Sequence, residues 1–384
     1  MNATAANRLH DRMMLPTNWD PSLLPRLRAF RPAYVYGSLP AETTLRNSAN
    51  LPSVTEEMIE DQVAEMNEMG IGFIYVMNAT TGPNSELSEE GRYKVMQRCE
   101  WLRGIGARGV VLANPFLVEL VRHWYPDLEV HVSVLAEVNS VNLAVHYDRL
   151  GVALIHLAPD VNRMIPVLRD IRKAVKCQLS VLVNEGCVFE CPLRRYHAGV
   201  MSNAQTSIEG GYHTDFCYYS CSQWKGARVE EYLRAPWIRP QDIDVYLDMG
   251  MDIVKVAGRE KMGDGPASHT DWIVNVTQAY FDRDVEDMAA MLVAMEPPNM
   301  LDGQPSASRD YSVKVKAREL DGFLKFFTDG HCTRHCNTCK YCGNWAEKAT
   351  EVTGDRPAYA AKMTDIKERL MIGDFRTGRL AGER

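Results

Sequence analysis

The chain has 384 residues, of which 46% are hydrophobic and 24% are charged. This balance is typical of a globular protein and excludes a disordered or fibrous chain. The length allows two ordinary domains or one large barrel with insertions. With 43 basic and 50 acidic residues the net charge is −7, which disfavours a general nucleic-acid scaffold.

No segment has the run of about 18 apolar residues that a membrane-spanning helix needs. The first 16 residues mix Arg8, Asp11 and Arg12 and contain no apolar core, so no secretory signal is expected. These features predict a cytoplasmic protein. Because thiols stay reduced in that compartment, the ten cysteines need an explanation other than disulfides.

Strand-like and helix-like segments alternate along most of the chain. The predicted strands are residues 33–40, 73–79, 109–115, 129–140, 152–160, 177–186 and 251–260. The predicted helices are residues 53–70, 88–105, 116–126, 140–151, 161–175, 239–250 and 270–281. This alternation predicts an α/β fold, a TIM-barrel-like parallel (β/α) barrel. Only seven strands are recognised, so closure of the barrel is inferred.

The alternation of strands and helices stops after residue 187 and resumes with the predicted helix at 239–250. We therefore predict a barrel domain at 30–285 with a cysteine-rich insertion at 187–236. A segment rich in proline and glycine at 296–309 is predicted to be a linker. A cysteine-rich C-terminal extension at 310–370 and a flexible tail at 371–384 complete the predicted organisation.

A polar residue ends each predicted strand after the first. These residues are Asn78, Asn114, Asn139, Asp160, Asn184 and Arg259, and Glu185 directly follows Asn184. Catalytic groups of a βα barrel sit at the carboxyl ends of its strands. Each residue alone is explained at least as well as a cap of the following helix. Their recurrence at six strand ends favours a shared polar mouth.

Eight of the ten cysteines fall into three groups: Cys187 with Cys191, Cys217 with Cys221, and the run Cys332, Cys336, Cys339 and Cys342. The remaining two, Cys99 and Cys177, are interpreted as small buried hydrophobes. Four thiols within eleven residues point to a metal, because short loops can aim several sulfurs at one point. The spacing favours an iron–sulfur cluster over zinc, with a metal-free role as the third alternative. Two clusters are predicted, one for each set of four cysteines.

The spacing Cys332-x3-Cys336-x2-Cys339 also matches the three-cysteine motif of radical-SAM enzymes. That motif belongs near the start of a barrel, whereas here it follows residue 330. Too little chain remains to build a barrel after it, and Cys342 is available as a fourth ligand. We therefore disfavour a radical-SAM reading.

Several segments together resemble one known family. They are "YVYGSLP", "ANPFLVEL", "LAPDVNR", "VLVNEGCVFECPLRRYH" (181–197), "FCYYSC" and "WIRPQDIDVYLDMGMDIVKVAGRE". Over roughly residues 30–345 the chain resembles peptidase family U-32, the collagenase-like proteins. The resemblance implies a TIM-barrel-like domain and a 4Fe-4S cluster held by cysteines. Compared with the long members, the cysteine pairs here are closer together and the terminal run is additional.

The resemblance implies two classes of activity. Some family members take part in oxygen-independent hydroxylation of ubiquinone precursors, a tRNA uridine or an rRNA cytidine, whereas others carry a peptidase label. We therefore expect an iron–sulfur oxidoreductase that acts on a small molecule, a peptide or an RNA base and needs an electron donor. The alternatives are a peptidase and a cluster-bearing scaffold or partner protein.

Five residues are the candidate catalytic set: Glu185, Asn184, Asp160, Arg163 and Arg259. Glu185 is expected to transfer protons, because a carboxylate at a dry mouth can have its pKa raised. Its alternative role is an ion pair with an arginine such as Arg163 or Arg259. Those two arginines are expected to bind an anionic substrate group.

The basic segment just after Cys191 has two interpretations. Arg194, Arg195 and His197 could bind an anionic group at the barrel mouth, or they could form a solvated basic turn. Residue type alone does not separate the two.

Overall fold

A computed structural model describes residues 8–42, 44, 53–82, 84–203, 216–259, 266–293, 300–301, 304–305 and 311–372. The predicted linker lies mostly outside these residues, and so does nearly all of the predicted tail. None of the helices within these ranges is long and apolar enough to cross a membrane.

Eight parallel strands, hydrogen-bonded in sequence order, close a barrel. The strands are β1 (Met13–Pro16), β2 (Tyr34–Gly37), β3 (Gly72–Met77), β4 (Gly109–Leu112), β5 (Glu129–Val132), β6 (Leu154–His156), β7 (Gln178–Leu182) and β8 (Ile253–Lys255). Closure occurs at β1, where Met14 lies opposite both Tyr34 of β2 and Lys255 of β8. The predicted TIM-barrel-like fold is confirmed, but the count of seven strands was wrong because β1 was missed.

Helices follow the strands and cover the barrel. They are α1 (Leu23–Leu27), α2 (Glu56–Glu68), α3 (Glu89–Gly104), α4 (Pro115–Trp124), α5 (Val141–Arg149), α6 (Ile165–Ala174), α7 (Arg194–Asn203), α8 (Phe216–Ala227), α9 (Glu231–Arg234), α10 (Ile243–Asp248), α11 (Pro266–Asp282), α12 (Lys325–Thr328), α13 (Tyr341–Ala349) and α14 (Arg356–Ile372). Side chains of Thr55 and Ser88 accept backbone hydrogen bonds at the starts of α2 and α3. Such caps fix where each helix begins, and hence where each barrel loop ends.

The interior of the barrel is partly polar. Its apolar members include Met14, Ile74, Val111, Leu154 and Ile253. Buried polar side chains on strands beside them are His131, His156, Ser180 and Lys255. Successive strand residues point to opposite faces, so residues two apart share the interior. The barrel axis is therefore lined by ionisable groups as well as by branched hydrophobes.

The C-terminal extension packs on the insertion. Strands β11 (Tyr311–Val315) and β12 (Thr350–Gly354) form an antiparallel pair, and two short strands, β9 (Met300–Leu301) and β10 (Gln304–Pro305), form another. Helix α14 packs along α8 of the insertion. The approach is close at Gly226, where an added Cβ would lie 3.1 Å from the Ala360 side chain. The cysteine-rich insertion and extension therefore form one layer over the barrel.

Candidate active site at the barrel mouth

A cavity of about 430 Å³ opens at the carboxyl ends of the barrel strands. Strand residues, among them Tyr36, Val76, Leu182 and Lys255, form its floor, and loop and helix residues form its walls. The walls carry all four cysteines of the insertion: Cys187, Cys191, Cys217 and Cys221. Two separate segments thus bring thiols to the end of the barrel where TIM-barrel enzymes carry their active sites.

The two cysteine pairs reach the cavity in different ways. Cys187 and Cys191 lie in the loop that follows β7. Cys217 and Cys221 are four residues apart on α8, so they lie on one face of that helix. Cys217 is buried, and the Cys221 thiol donates a hydrogen bond to the Tyr218 carbonyl at 3.3 Å. Packing of α8 over the barrel points this face at the loop.

Desolvation acts on the thiols of the first cysteine pair, although Cys187 is exposed and Cys191 is half-buried. It raises the pKa of Cys187 well above the ordinary thiol range and also raises the pKa of Cys191. The positive charges of Arg194 and Lys225 act in the opposite direction on both thiols. Without a metal the thiols are therefore protonated near neutral pH, and a metal would bind by displacing their protons.

Arg194 joins two acidic residues at the mouth. Its guanidinium lies 3.7 Å from the carboxylates of both Glu185 and Asp160. Burial alone would lower the pKa of Arg194, but the facing Cys187, Glu185 and Asp160 raise it overall. Burial raises the pKa of Asp160, although Arg194 opposes this effect. Glu185 does form an arginine ion pair, with Arg194 rather than with Arg163 or Arg259.

Glu185 also stabilises the loop that contains Cys187 and Cys191. Its second carboxylate oxygen accepts a hydrogen bond from the backbone N–H of Cys187 at 2.9 Å. Asp160 accepts a hydrogen bond from the backbone N–H of Glu190 at 3.0 Å. Glu185 lines the cavity, whereas Asp160 lies behind the loop and does not. Both carboxylates therefore hold the Cys187–Cys191 loop, and only Glu185 faces the open space.

Some of the polar residues at the strand ends line the cavity, and others hold loops or helix ends in place. Asn78 and Arg259 line the cavity. Asn114 instead caps α4 by accepting a hydrogen bond from the Phe116 N–H at 3.0 Å, as the capping alternative predicts. Asn184 is fully buried and ties two loops together through hydrogen bonds to Ala257 and Met291. Asn139 is exposed.

The structure places Arg163 away from the mouth cavity. Arg163 ends a 3-10 turn after β6, Pro159–Arg163, which turns its side chain away from the barrel axis. The guanidinium lies over the rings of Trp237, Phe323 and Phe327, at 4.7, 5.0 and 5.3 Å from their centroids. The expectation that Arg163 binds substrate beside Glu185 is therefore not supported.

Arg163 lines a second cavity of about 190 Å³ instead. Three cysteines of the C-terminal run, Cys332, Cys336 and Cys342, line the same cavity. Cys339 lies near Cys336, whose pKa is raised mainly by burial and also by the neighbouring thiols. Burial raises the pKa of Cys342 to about 11, while Arg163 opposes this rise. The four C-terminal thiols thus gather beside a buried guanidinium.

Lys225 in the wall and Lys255 in the floor of the cavity were not among the predicted site residues. Lys225 donates a hydrogen bond from α8 to the Gly186 carbonyl, next to Cys187. Lys255 was recognisable as a charged residue inside the apolar strand "IVKV". Alternation along that strand puts residue 255 on the inner face with residue 253, which marks it as a polar interior residue.

The donor chemistry of the two cysteine sets fits iron–sulfur clusters, which are held by four thiolates. Within the described ranges, no group of three or more His, Cys, Asp or Glu side chains is placed to hold a single metal ion. Zinc–sulfur bonds of 2.3 Å would bring thiolates to about 4 Å from one another. The described residues therefore place cysteine thiols around each cavity, but they do not form a preorganised site for a single metal ion.

Comparison with known proteins assigns the chain to a family. The family model for peptidase family U32 matches residues 33–312. The uncharacterized protease MJ1657 of Methanocaldococcus jannaschii is 29% identical over 297 residues, which span 77% of this chain and 82% of that protein. The solved U32 peptidase Mk0906 is 22% identical, with a TM-score of 0.48, and covers 64% of this chain and 92% of its own. Because the family model matches well over half of its length, the chain belongs to peptidase family U32.

Proposed function

We propose that this protein is an iron–sulfur oxidoreductase whose reaction takes place in the mouth cavity. The observation that carries the proposal is the convergence of Cys187, Cys191, Cys217 and Cys221 on one cavity at the catalytic end of the barrel. These residues would hold a 4Fe-4S cluster, which supplies one-electron transfer when bound. The substrate class is a small molecule, a peptide or an RNA base.

The charges around the cysteines support this assignment. Four thiolates and their metal centre are anionic overall, so they need nearby positive charge. The Arg194 side chain is 13% exposed and lies beside the carboxylates of Glu185 and Asp160, and Lys225 lines the same cavity. In a low-dielectric site such cations stabilise thiolates more strongly than they would in water.

Glu185 and Arg259 are the residues proposed to handle the substrate. Glu185 lines the cavity, with one carboxylate oxygen bound by the Cys187 N–H and the other 3.7 Å from the Arg194 guanidinium, and the oxygen that faces Arg194 is proposed to exchange the proton. Arg259 is buried at the cavity wall, and its guanidinium donates a hydrogen bond to the Ser38 hydroxyl at 2.7 Å. A guanidinium held in this way suits a carboxylate or phosphate.

The C-terminal cysteines are proposed to hold a second cluster that relays electrons. The loop from Cys187 to Cys191 separates the two cavities, because Cys187, Val188 and Cys191 line the mouth while Phe189 lines the second cavity. An electron donor would dock near the C-terminal run. The proposal requires a reducing compartment such as the cytoplasm.

A peptidase is the second candidate, because MJ1657 is named a protease and Mk0906 is named a peptidase. A cysteine peptidase needs a thiol whose pKa is lowered, so that the thiolate is available for attack. Desolvation has the opposite effect on Cys187 and Cys191. In the metal-free protein these thiols are therefore protonated and are not activated as the nucleophile of a cysteine peptidase.

Metal analysis of anaerobically purified protein tests the proposal. Two 4Fe-4S clusters predict about eight iron and eight sulfide per chain, with an electron paramagnetic resonance signal after reduction. Cys177→Ala is the matched control, because Cys177 belongs to neither group of four, and it should keep all the iron. Stoichiometric zinc without iron would contradict the proposal. Full peptidase activity in iron-free protein would decide for the hydrolase.

A further inference from the structure

Lys255 is the least expected residue of the mouth cavity. It is the last residue of β8, its side chain points into the barrel, and it is only 7% exposed. It nevertheless forms part of the cavity floor. A buried lysine at the carboxyl end of a barrel strand occupies the position from which TIM-barrel enzymes act on their substrates.

The surroundings of Lys255 contain no counterion among the described residues. Its amine lies 4.7 Å from the centroid of the Tyr36 ring, and no described carboxylate pairs with it. Below it in the barrel, His131 and His156 are fully buried, with ring centroids 5.7 Å apart. The charged group above it is Arg259, which repels an ammonium.

This setting favours the neutral amine. Burying an unpaired ammonium is costly, and a buried lysine releases its proton to avoid that cost. Burial, with a smaller contribution from Arg259, lowers the pKa of Lys255 to about 7. Burial likewise lowers the pKa of both histidines, so neither contributes a positive charge near neutral pH.

We propose that Lys255 is the nucleophile of a carbonyl-binding site and forms an imine with an aldehyde or ketone that also bears a carboxylate or phosphate. The lysine nitrogen attacks the carbonyl carbon, a carbon–nitrogen bond forms, and the carbonyl π electrons move to oxygen. The resulting carbinolamine loses its oxygen as water, with both hydrogens of that water coming from the amine or solvent. The step consumes no oxidant or reductant.

Other groups of the cavity complete such a site. Arg259 follows Lys255 by four residues and lines the same cavity, so it is placed to bind the anionic group of the ligand. Glu185 on the wall is an ionisable carboxylate that can carry protons during dehydration. Desolvation of a lysine in an apolar pocket is a known way to activate it as a nucleophile.

This site goes beyond the proposed redox function, although it shares the same cavity. Imine formation needs no iron, and cluster assembly by the four mouth cysteines needs no amine. The two proposals therefore fail separately, since one is tested by adduct formation and the other by metal content.

Reductive trapping tests the proposal on the full-length protein. The protein is incubated at pH 7 with glyoxylate and cyanoborohydride, and modified lysines are located by peptide mass mapping. A lysine with a pKa near 7 is half neutral at that pH, whereas an ordinary lysine is neutral in roughly one molecule in 2,500. We expect Lys255 to be modified at least tenfold faster than an exposed lysine such as Lys94.

Variants and a second probe sharpen the result. Lys255→Met and Lys255→Arg should abolish the dominant adduct, while Lys173→Met, which removes a lysine on α6 that is 78% exposed and does not line the cavity, should keep it. Arg259→Gln should raise the glyoxylate concentration for half-modification about tenfold. The same variant should affect modification by propanal, which lacks an anionic group, far less, because only the small contribution of Arg259 to the lowered pKa of Lys255 is lost.

One outcome would overturn the proposal without any variant. If wild-type Lys255 is modified no faster than Lys94, and competitive acylation shows the ordinary lysine pH profile for Lys255, the carbonyl site does not exist. If glyoxylate and propanal both modify Lys255 in Arg259→Gln as they do in wild type, Arg259 does not bind the anionic group of the ligand.

Discussion

The carboxylate of Glu190 forms an ion pair with the guanidinium of Arg334. Glu190 lies between the first two mouth cysteines, and Arg334 lies between Cys332 and Cys336. Arg234 adds a hydrogen bond to the Cys336 carbonyl at 3.2 Å. The pair thus ties the loop that contains Cys187 and Cys191 to the loop that contains Cys332 and Cys336.

Breaking this pair should loosen both loops together. For Arg334→Gln we expect less than about 1 kcal/mol of global destabilisation, because Arg334 is 52% exposed and screened by solvent. Hydrogen exchange should nevertheless accelerate in both loops. Glu90→Gln, which breaks the exposed Glu90–Lys94 pair on α3, is the control. Faster exchange confined to the Arg334 loop would show that the loops are not coupled.

The two proposed clusters should respond differently to loss of a ligand. The C-terminal thiols lie in a small extension, where ligated metal can contribute on the order of 10 kcal/mol, comparable to a whole-domain stability of about 5–15 kcal/mol. Cys339→Ala should therefore mainly lower solubility and iron content. Cys187→Ala should abolish turnover and keep more of the fold, because Cys187 lies on a complete barrel. Iron content per chain and thermal unfolding measure the difference between the two variants. Equal loss of iron and of stability in both would contradict the prediction.

Replacing Arg194 should lower the free energy of unfolding, because Glu185 and Asp160 then lose the guanidinium between them. Arg194→Met leaves Glu185 and Asp160 buried without their partner, a type of change that costs about 3–5 kcal/mol. The loss raises the pKa of Asp160 further in the folded state. A carboxyl with a raised folded pKa stabilises at low pH, and this stability is lost as pH rises through that pKa. The defect should therefore be larger at pH 8 than at pH 5.

Chemical unfolding at the two pH values measures this effect. The neighbouring Arg195, which is 85% exposed, provides the matched control. Arg195→Met removes the same charge from the same helix and should change stability little at either pH. A defect of Arg194→Met that does not depend on pH would mean that lost packing, and not the acids, causes it.

Most of the barrel was predictable because its strands are short buried runs bounded by turns. Strand β1 was not, since Met13–Pro16 has four buried residues, no alternation and a terminal proline. Only closure of the barrel reveals it, through pairing with both β2 and β8. Pairing between strands that are distant in sequence leaves no local pattern. A closed barrel implies that an eighth strand exists, but the sequence does not show where it is.

The site was predictable where a local motif carries it. Cysteine spacing identified the two sets of four thiols, but their convergence depends on how α8 and α14 pack over the barrel, which no spacing encodes. Arg163 was misplaced because a residue after a strand can turn towards the mouth or away from it. The 3-10 turn and the Trp237 ring decide that choice here. Lys255 was missed because the strand was predicted to run from 251 to 260, which put Lys255 in its middle, whereas β8 ends at Lys255.

The buried amine of Lys255 should leave a signature in stability. Its pKa is lowered to about 7 in the folded protein, while the unfolded value is 10.5. Between these values the unfolded chain binds a proton that the folded chain does not, so the free energy of unfolding should rise with pH. Below pH 7 this stability is lost, because the amine must then be charged inside the barrel. The full effect is at most about 5 kcal/mol.

Lys255→Met should flatten this dependence. Met fills a similar volume, carries no charge and loses no hydrogen bond, so the variant should be more stable than wild type at pH 6 and nearly equal to it at pH 10. Urea unfolding at pH 6, 8 and 10 measures the difference, with the exposed Lys173→Met as the control that keeps the wild-type slope. Parallel curves for wild type and Lys255→Met would mean that Lys255 is charged in the folded state, which would also remove the basis for its reaction with carbonyl groups.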